Sequence, residues 1–393
     1  MKKAAAVLLL LALGAVFFIA CGGRHAREQL PMRYPMRHGD IDIYTSGREL
    51  YKQLFSDIAG ARQSVHISFF SIGRDQVSRQ FLQLLRQKSR EGVPVYYAVD
   101  LMGGILLPPA EQRALRKAGV HFAFYNKPGF PYLLSSIEHR NHRRIALIDG
   151  KIGYTGGLNI GKKYLGEKKR IGRWRDYHVR VQGGIVQDFE RQFTADWREN
   201  TGEELQQEDA AAGGAAQMQL TAYSGKRLAD DYAALFRKAR SSITLISPYL
   251  IPNNEGLWAA LADACKRHVT VRIVWSPHSD ALLVEQAAYP YIRKALRLGI
   301  EVYAYKGGVD HGKLLLIDRQ LLAVGTVNLD SRSLHVNDEL NLYIHDAASI
   351  QRVLPLVQED IAQSRRLRLR DVTGLPLHER FLEQLARMAE YYL

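Results

Sequence analysis

Two stretches of this chain carry a histidine, a cation and an aspartate in the same frame. In the first, His142 stands two residues before Arg144 and seven before Asp149. In the second, His311 stands likewise before Lys313 and Asp318. The match runs on downstream, where Gly156-Gly157-Leu158-Asn159 answers Gly325-Thr326-Val327-Asn328, all at one offset of 169 residues. Imidazole acts as nucleophile or general acid/base near neutral pH. A neighbouring cation holds a phosphate oxygen and offsets charge that develops in the transition state. Two such sets suggest one site built from two related halves, with the composition expected for phosphate ester chemistry.

Each histidine lies just before a short apolar run, Ile145 to Ile148 or Leu314 to Ile317, which reads as a buried strand. Residues two apart in a strand share a face. His142 and Arg144 are therefore predicted to project together, and so are His311 and Lys313. Asp149 and Asp318 close the motifs where each strand meets a turn, and are expected to hold local structure instead of touching substrate. Packing needs alone do not explain a histidine and a cation facing the same way in both copies.

The repeat extends to the elements that must position these groups. Leu54-Phe55 and the strand-like Val65 to Phe70 answer Leu235-Phe236 and Ile243 to Ser247. Gly92 to Tyr96 answers His268 to Arg272, and Ala118 to Phe122 answers Leu298 to Val302. Each half reads helix, strand, helix, strand, helix, strand, motif strand, further strand. Such alternation argues for an α/β sandwich. Phe81, Leu82, Leu84 and Leu85 give one helix its apolar stripe, which is core.

These residues resemble the phospholipase D superfamily, and within it the bacterial cardiolipin synthases. The supporting stretches are Arg140 to Arg144, Gly156 to Gly161, Tyr164-Leu165-Gly166, Trp174-Arg175-Asp176, Ser247-Pro248-Tyr249 and Gly325 to Ser333, with Asn337 and Glu339. The resemblance spans roughly residues 40 to 393. It implies an α/β protein of two similar phospholipase D-like α/β/α sandwich halves, packed as a pseudo-two-fold pair behind an N-terminal membrane-anchoring segment. It also implies metal-free chemistry with no cofactor. One histidine attacks a phosphatidyl phosphorus to form a phosphohistidine, and the other protonates the leaving alcohol and then deprotonates the incoming one. Covalent catalysis splits one hard displacement into two easier ones. We carry the nucleophile onto His142 and the acid/base onto His311; the symmetry itself does not say which is which. Asn159 and Asn328 are carried over as substrate-binding residues. Asp176 and Glu339 follow their histidines by 34 and 28 residues and match family positions suggested for orienting the imidazoles. In such an enzyme two phosphatidylglycerols yield cardiolipin and glycerol.

The pattern departs from the family at Arg144, where the motif has lysine. The charge is kept, and a guanidinium grips a phosphate through two hydrogen bonds, but it is longer and planar. The favoured reading is a fully active site. The others are an altered rate or acceptor choice, and a first half so impaired that the chain only binds lipid. A hydrolytic phospholipase D and a nucleic-acid phosphodiesterase are the rival enzymes; the latter gains nothing from a membrane segment, and no interleaved aromatic platform is seen.

The chain has 393 residues and a net charge of +14. Basic residues gather at Lys162, Lys163, Lys168, Lys169, Arg170, Arg173 and Arg175, and again at Arg365, Arg366, Arg368 and Arg370. That charge suits anionic headgroups and nucleic acid alike. The expected partners are a membrane and its anionic phospholipid, phosphatidylglycerol, with no nucleic acid. A single chain suffices for one site. Only Cys21 and Cys265 are present, so no disulfide framework exists. His139 and His142 lack partners at metal-ligand spacing, and no metal site is expected.

The organisation follows. Residues 1–23 read as a membrane anchor or a lipoprotein signal peptide, with Cys21 as the lipidated residue. Residues 40–200 form the first half, 201–216 a linker and 217–393 the second half. Either N-terminal reading tethers the halves to a cell membrane. A lipoprotein faces outward, whereas an uncleaved anchor, with Arg24, Arg27, Arg33 and Arg37 outnumbering Lys2 and Lys3, places the body in the cytoplasm. The first half also carries an apolar loop, Lys127 to Leu134, that either dips into the bilayer or folds over its own domain.

Overall fold

In the computed structural model the described residues are 30–129, 137–167, 172–207, 212–225, 227–278 and 283–389. The N-terminal segment, Phe130 to Leu134 of the apolar loop, Lys168 to Arg170 and part of the linker lie outside them. Among the described residues no helix is long and apolar enough to cross a membrane.

Most of the described strands form one mixed sheet that runs through both halves, and four short strands pair off in two two-stranded sheets. From its middle outward, the first half places Arg37–Tyr44, His178–Gln182, Ile152–Gly156, Ile145–Ile148, Val65–Phe69, Val95–Asp100 and His121–Tyr125 side by side. The second half places Ala216–Ser224, Asp338–Ile344, Leu321–Gly325, Leu314–Ile317, Ser242–Ser247, Thr270–Trp275 and Glu301–Tyr305 in the matching order. The two middle strands join the halves antiparallel, with Ala216 opposite Gly39.

The reason lies in the apolar runs. Val65–Phe69, Ile145–Ile148 and Leu314–Ile317 are buried at every residue. Strands without a polar face must be covered on both sides. Helices Gly47–Gly60 and Gln76–Arg90 cover one face of the first half, through Leu50, Leu54, Phe81, Leu82 and Leu85. On the other face both halves share one core: Phe189, Phe193 and Trp197 of helix Val186–Thr201 join Leu314, Leu316, Val353 and Val357 of the second half. The stripe predicted from Phe81 to Leu85 is core.

Sequence patterning found the strand–helix alternation but allowed one strand after each motif strand where each half has two, Ile152–Gly156 and His178–Gln182 or Leu321–Gly325 and Asp338–Ile344, and it omitted two further elements of each half. These are the opening strand, Arg37–Tyr44 or Ala216–Ser224, and the closing helix, Val186–Thr201 or Ala347–Ala362. The closing helices hide polar residues in buried positions, including Asp188, Glu190 and Asp196, which blunts their helical signature. The expected linker overlaps both neighbours, since the first helix ends at Thr201 and the next strand begins at Ala216. Of the C-terminal basic group, Arg366 pairs with Glu301 and Arg365 with Asp371.

Candidate active site

His142 and His311 line one cleft of ≈ 250 Å³, together with Arg144, Asn159, Lys163, Tyr249, Asn328 and Arg332. Each histidine enters the cleft just ahead of its motif strand, and each is anchored by the opposite half. The His142 backbone N–H donates to the Asp338 carbonyl at 2.9 Å, and the His311 N–H donates to the Arg175 carbonyl at 2.8 Å. Strand Arg173–Arg175 pairs in parallel with Gly308–Asp310, which leads into His311. Asn141, before His142, bridges in the same sense to Asp338.

The residue after each accepting carbonyl is the carboxylate in question. His142 Nδ1 lies 2.9 and 3.0 Å from the two oxygens of Glu339, and His311 Nδ1 lies 2.8 Å from Asp176 Oδ2. Sequence order pairs each carboxylate with the histidine it follows. The structure corrects this: the pairing is crossed, because the segments that carry the carboxylates reach over the junction between the halves.

The cations stand on their histidines as strand alternation required. Arg144 Nη2 donates to His142 Nε2 at 2.9 Å, Nη1 to the His142 carbonyl at 3.1 Å and Nε to Asn159 Oδ1 at 3.1 Å. A guanidinium only donates, so Nε2 is the unprotonated nitrogen and Nδ1 carries the proton toward Glu339. Lys313 Nζ lies 2.9 Å from His311 Nδ1 and 3.3 Å from Nε2, and donates to the His311 carbonyl at 2.7 Å. Asn159 Nδ2 donates to Tyr164. Asn328 is buried on the opposite wall, and its Oδ1 has no partner among the described residues. Phe70 packs its ring edgewise on His142, and Trp174 lies 5.0 Å from the His311 ring.

Burial sets the electrostatics. It pulls the His142 midpoint down to about 4, against the opposing charge of Glu339 and with help from Arg144. Burial pushes the Glu339 carboxyl up, but His142, Thr326 and Ser333 outweigh it and hold the group below its usual range. Asp176 behaves oppositely: burial raises it, and Lys313 and the Tyr177 N–H only partly compensate. The difference has a structural source. Glu339 accepts from the Thr326 and Ser333 hydroxyls as well as from His142. Gly157 takes the place of Thr326 in the first half, and a Cβ there would lie 2.0 Å from Asp176 Oδ1.

Asp149 and Asp318 stand at the far ends of the motif strands, about 20 Å along the chain from the histidines at strand spacing. Asp149 accepts from the backbone N–H groups of Arg62, Gln63 and Ser64, and Asp318 from those of Arg240, Ser241 and Ser242. Each ties the turn after a helix to the end of its motif strand. Their left-handed backbones, φ 56° and 53°, turn the chain there.

Sequence reasoning gave no role to Thr326, Ser333, Asp100 or Arg143. The first two hold Glu339, and the Asp100 carboxylate receives the Arg140 side chain and the Asn141 N–H beside His142. Arg143 donates to Asp196, to the Tyr223 carbonyl, to Ser224 and to the Glu339 carbonyl, binding the halves together. Strand alternation carried the signal for Arg143, since a residue between His142 and Arg144 faces away from both. Among the described residues no group of three or more His, Cys, Asp or Glu is arranged to hold a metal ion.

The comparisons with known proteins agree with this architecture. A family model described as "Cardiolipin synthase, PLD-like domain" matches twice, at residues 54–197 and 232–361. Minor cardiolipin synthase ClsB of Bacillus subtilis strain 168 is 36% identical over 378 residues, which cover 96% of this chain and 94% of that protein. The cardiolipin synthase of Geobacillus kaustophilus strain HTA426 is 31% identical over 93% of this chain and 76% of its own length. The crystal structure of phosphatidylserine synthase from Haemophilus influenzae Rd KW20 shares the fold, with a TM-score of 0.69 at 13% identity, over 95% of this chain and 100% of that one. Both motif-bearing halves match the same domain, and a cardiolipin synthase at 36% identity is covered over 94% of its length, so this chain is a member of the phospholipase D-like cardiolipin synthase family.

Proposed function

We propose that this protein is a cardiolipin synthase that moves a phosphatidyl group from one phosphatidylglycerol to the glycerol hydroxyl of another. The observation that carries the reading is the crossed pair of carboxylate-held histidines in one cleft. His142 Nε2 attacks the phosphorus and the P–O bond to glycerol breaks. His311 delivers a proton to the departing glycerol oxygen, leaving a phosphohistidine. His311 then takes the proton of the incoming hydroxyl, whose oxygen displaces Nε2 and completes cardiolipin. Arg144 and Lys313 offset charge on the phosphoryl oxygens, and Asn159 and Asn328 orient the phosphate. Glu339 and Asp176 fix the imidazoles by the logic of catalytic triads. Asp149 and Asp318 act through the scaffold.

The same reading treats residues 40–200 and 217–393 as two halves of a pseudo-two-fold pair joined by 201–216. The matching strand orders support it. One chain then holds a whole site. Residues 1–23 serve as the tether to the cell membrane, supported by their apolar run after Lys2 and Lys3.

The test uses the purified full chain in mixed micelles with labelled phosphatidylglycerol and chelator. Cardiolipin and glycerol, both lost in His142→Ala and His311→Ala, are the expected products. Phosphatidic acid alone means that water is the acceptor, and no lipid product at all sinks the proposal.

A further inference from the structure

The C-terminal helix Leu377–Ala389 has two unlike faces. One packs on the second half: Ala386 is fully buried against Ile251, Val284 and Ala287, and Glu383 receives the Arg293 guanidinium. The other presents Leu377, Phe381, Leu385 and Met388, exposed by 81%, 65%, 39% and 83%. Spacings of four, four and three residues set these side chains in one stripe along the outer side. Arg380 and Arg387 are exposed beside it.

The helix also borders the cleft. Val284, on which its inner face rests, lines the cleft, and so does Tyr249 of the same apolar cluster. In the first half, the turn that packs on the backbone of the cleft residue Phe70 shows a comparable feature. Met102, Ile105 and Leu106 are 43%, 61% and 63% exposed. They sit in the turn after Asp100, whose carboxylate steadies the segment entering His142. Exposed apolar side chains thus stand on the elements flanking both histidines. A cleft of ≈ 250 Å³ takes a phosphodiester headgroup but not its acyl chains, which remain outside.

We propose that the Leu377–Ala389 helix, with the Met102–Leu106 turn, lies in the surface of an anionic bilayer and sets the cleft mouth against the lipid headgroups. The apolar stripe enters the headgroup–acyl boundary, and Arg380 and Arg387 meet the anionic headgroups, the arrangement of an interfacial helix. The inference rests on the lipid-substrate reading above for the identity of the surface, but its test needs no turnover.

The four native tryptophans, Trp174, Trp197, Trp258 and Trp275, are each 2% exposed, so they report little of a surrounding bilayer. Full-length Phe381→Trp protein is mixed with phosphatidylglycerol vesicles whose acyl chains are brominated. The expected result is a blue-shifted emission quenched at least about twofold more than that of the unsubstituted chain. Emission that shifts without quenching overturns the proposal, and means that a second copy or another segment of this chain covers the stripe. Emission that neither shifts nor is quenched overturns it as well. In a second measurement, Leu377→Ser/Phe381→Ser/Met388→Ser protein is expected to lose several-fold more activity on vesicles than on short-chain, monomerically dispersed phosphatidylglycerol. Equal loss on both overturns the docking role. Absence of product from the unsubstituted protein on either substrate counts against the proposed reaction, while the quenching result still decides the docking.

Discussion

Glu339 of the second half holds the Nδ1 of His142, in the first half, at 2.9 Å. Asp176 of the first half does the same for His311 at 2.8 Å. Neither half supplies the carboxylate for its own motif histidine. In the proposed mechanism the crossing ties catalysis to the junction between the halves, and it makes each carboxylate testable through the other half's histidine.

Glu339→Gln keeps the shape of the side chain but removes its charge and sets an amide donor in place of one oxygen that accepts from His142, Thr326 or Ser333, so the Nδ1 proton is no longer firmly held. Product formation is expected to fall by about 10²–10⁴-fold, with the fold unchanged by circular dichroism. Rapid-quench labelling is expected to show slower phosphohistidine formation at His142. Normal labelling at that site would remove Glu339 from the role.

The pH dependence follows from His142. Its folded midpoint, about 4, lies below the 6.5 of an unperturbed histidine. Between those values the unfolded chain binds the extra proton and the native state does not. The stability contributed by this group is therefore complete above about pH 6.5 and is lost as pH falls toward 4. Attack also needs the neutral ring. The acid limb of initial rate is expected near pH 4, and a limb centred at 6.5 or higher would contradict the burial argument.

Arg144 is not a loose substitute for lysine. Its three donor groups are all engaged, on Asn159, on the His142 carbonyl and on Nε2. Arg144→Lys cannot make all three contacts, and kcat is expected to drop about tenfold, the loss of roughly one charged hydrogen bond. A gain in activity would revive the reading of an impaired first half.

Gly157 is required by the close approach of Asp176. A methyl group there meets the carboxylate at 2.0 Å, while Tyr177 N–H and His311 hold that carboxylate from other sides. Gly157→Ala is expected to displace Asp176 and to cost about 10²-fold in kcat, the scale of an ångström-level misplacement. The rate of the labelled protein's second step, transfer to the acceptor, is the readout. An unaffected rate would show that Asp176 tolerates the shift.

Arg143 joins the halves from a buried position, 4% exposed, with Asp196 as its ionic partner. Arg143→Ala leaves that carboxylate uncompensated. Urea denaturation is expected to show a loss of about 3–5 kcal/mol, the usual cost of breaking a buried pair.

The sequence by itself determined the chemistry and its duplication. Histidine, cation and asparagine recur at a constant offset of 169 residues, and strand alternation places each histidine and its cation on one side. Short apolar runs between helical stripes determined the α/β class, because such runs must be buried on both faces. The motif aspartates were legible as scaffold from their place at a strand end. The opening strands and closing helices were not, since their buried residues serve a core that the other half completes. Tertiary structure alone decided which carboxylate serves which histidine, that Thr326 and Ser333 strengthen one of them, and that Arg143 turns from the cleft to bind the halves. Local periodicity fixes which way a side chain points relative to its neighbours. It carries no information about which segment, some 135 to 197 residues away, packs against it, and both motif histidines meet their carboxylates across that distance.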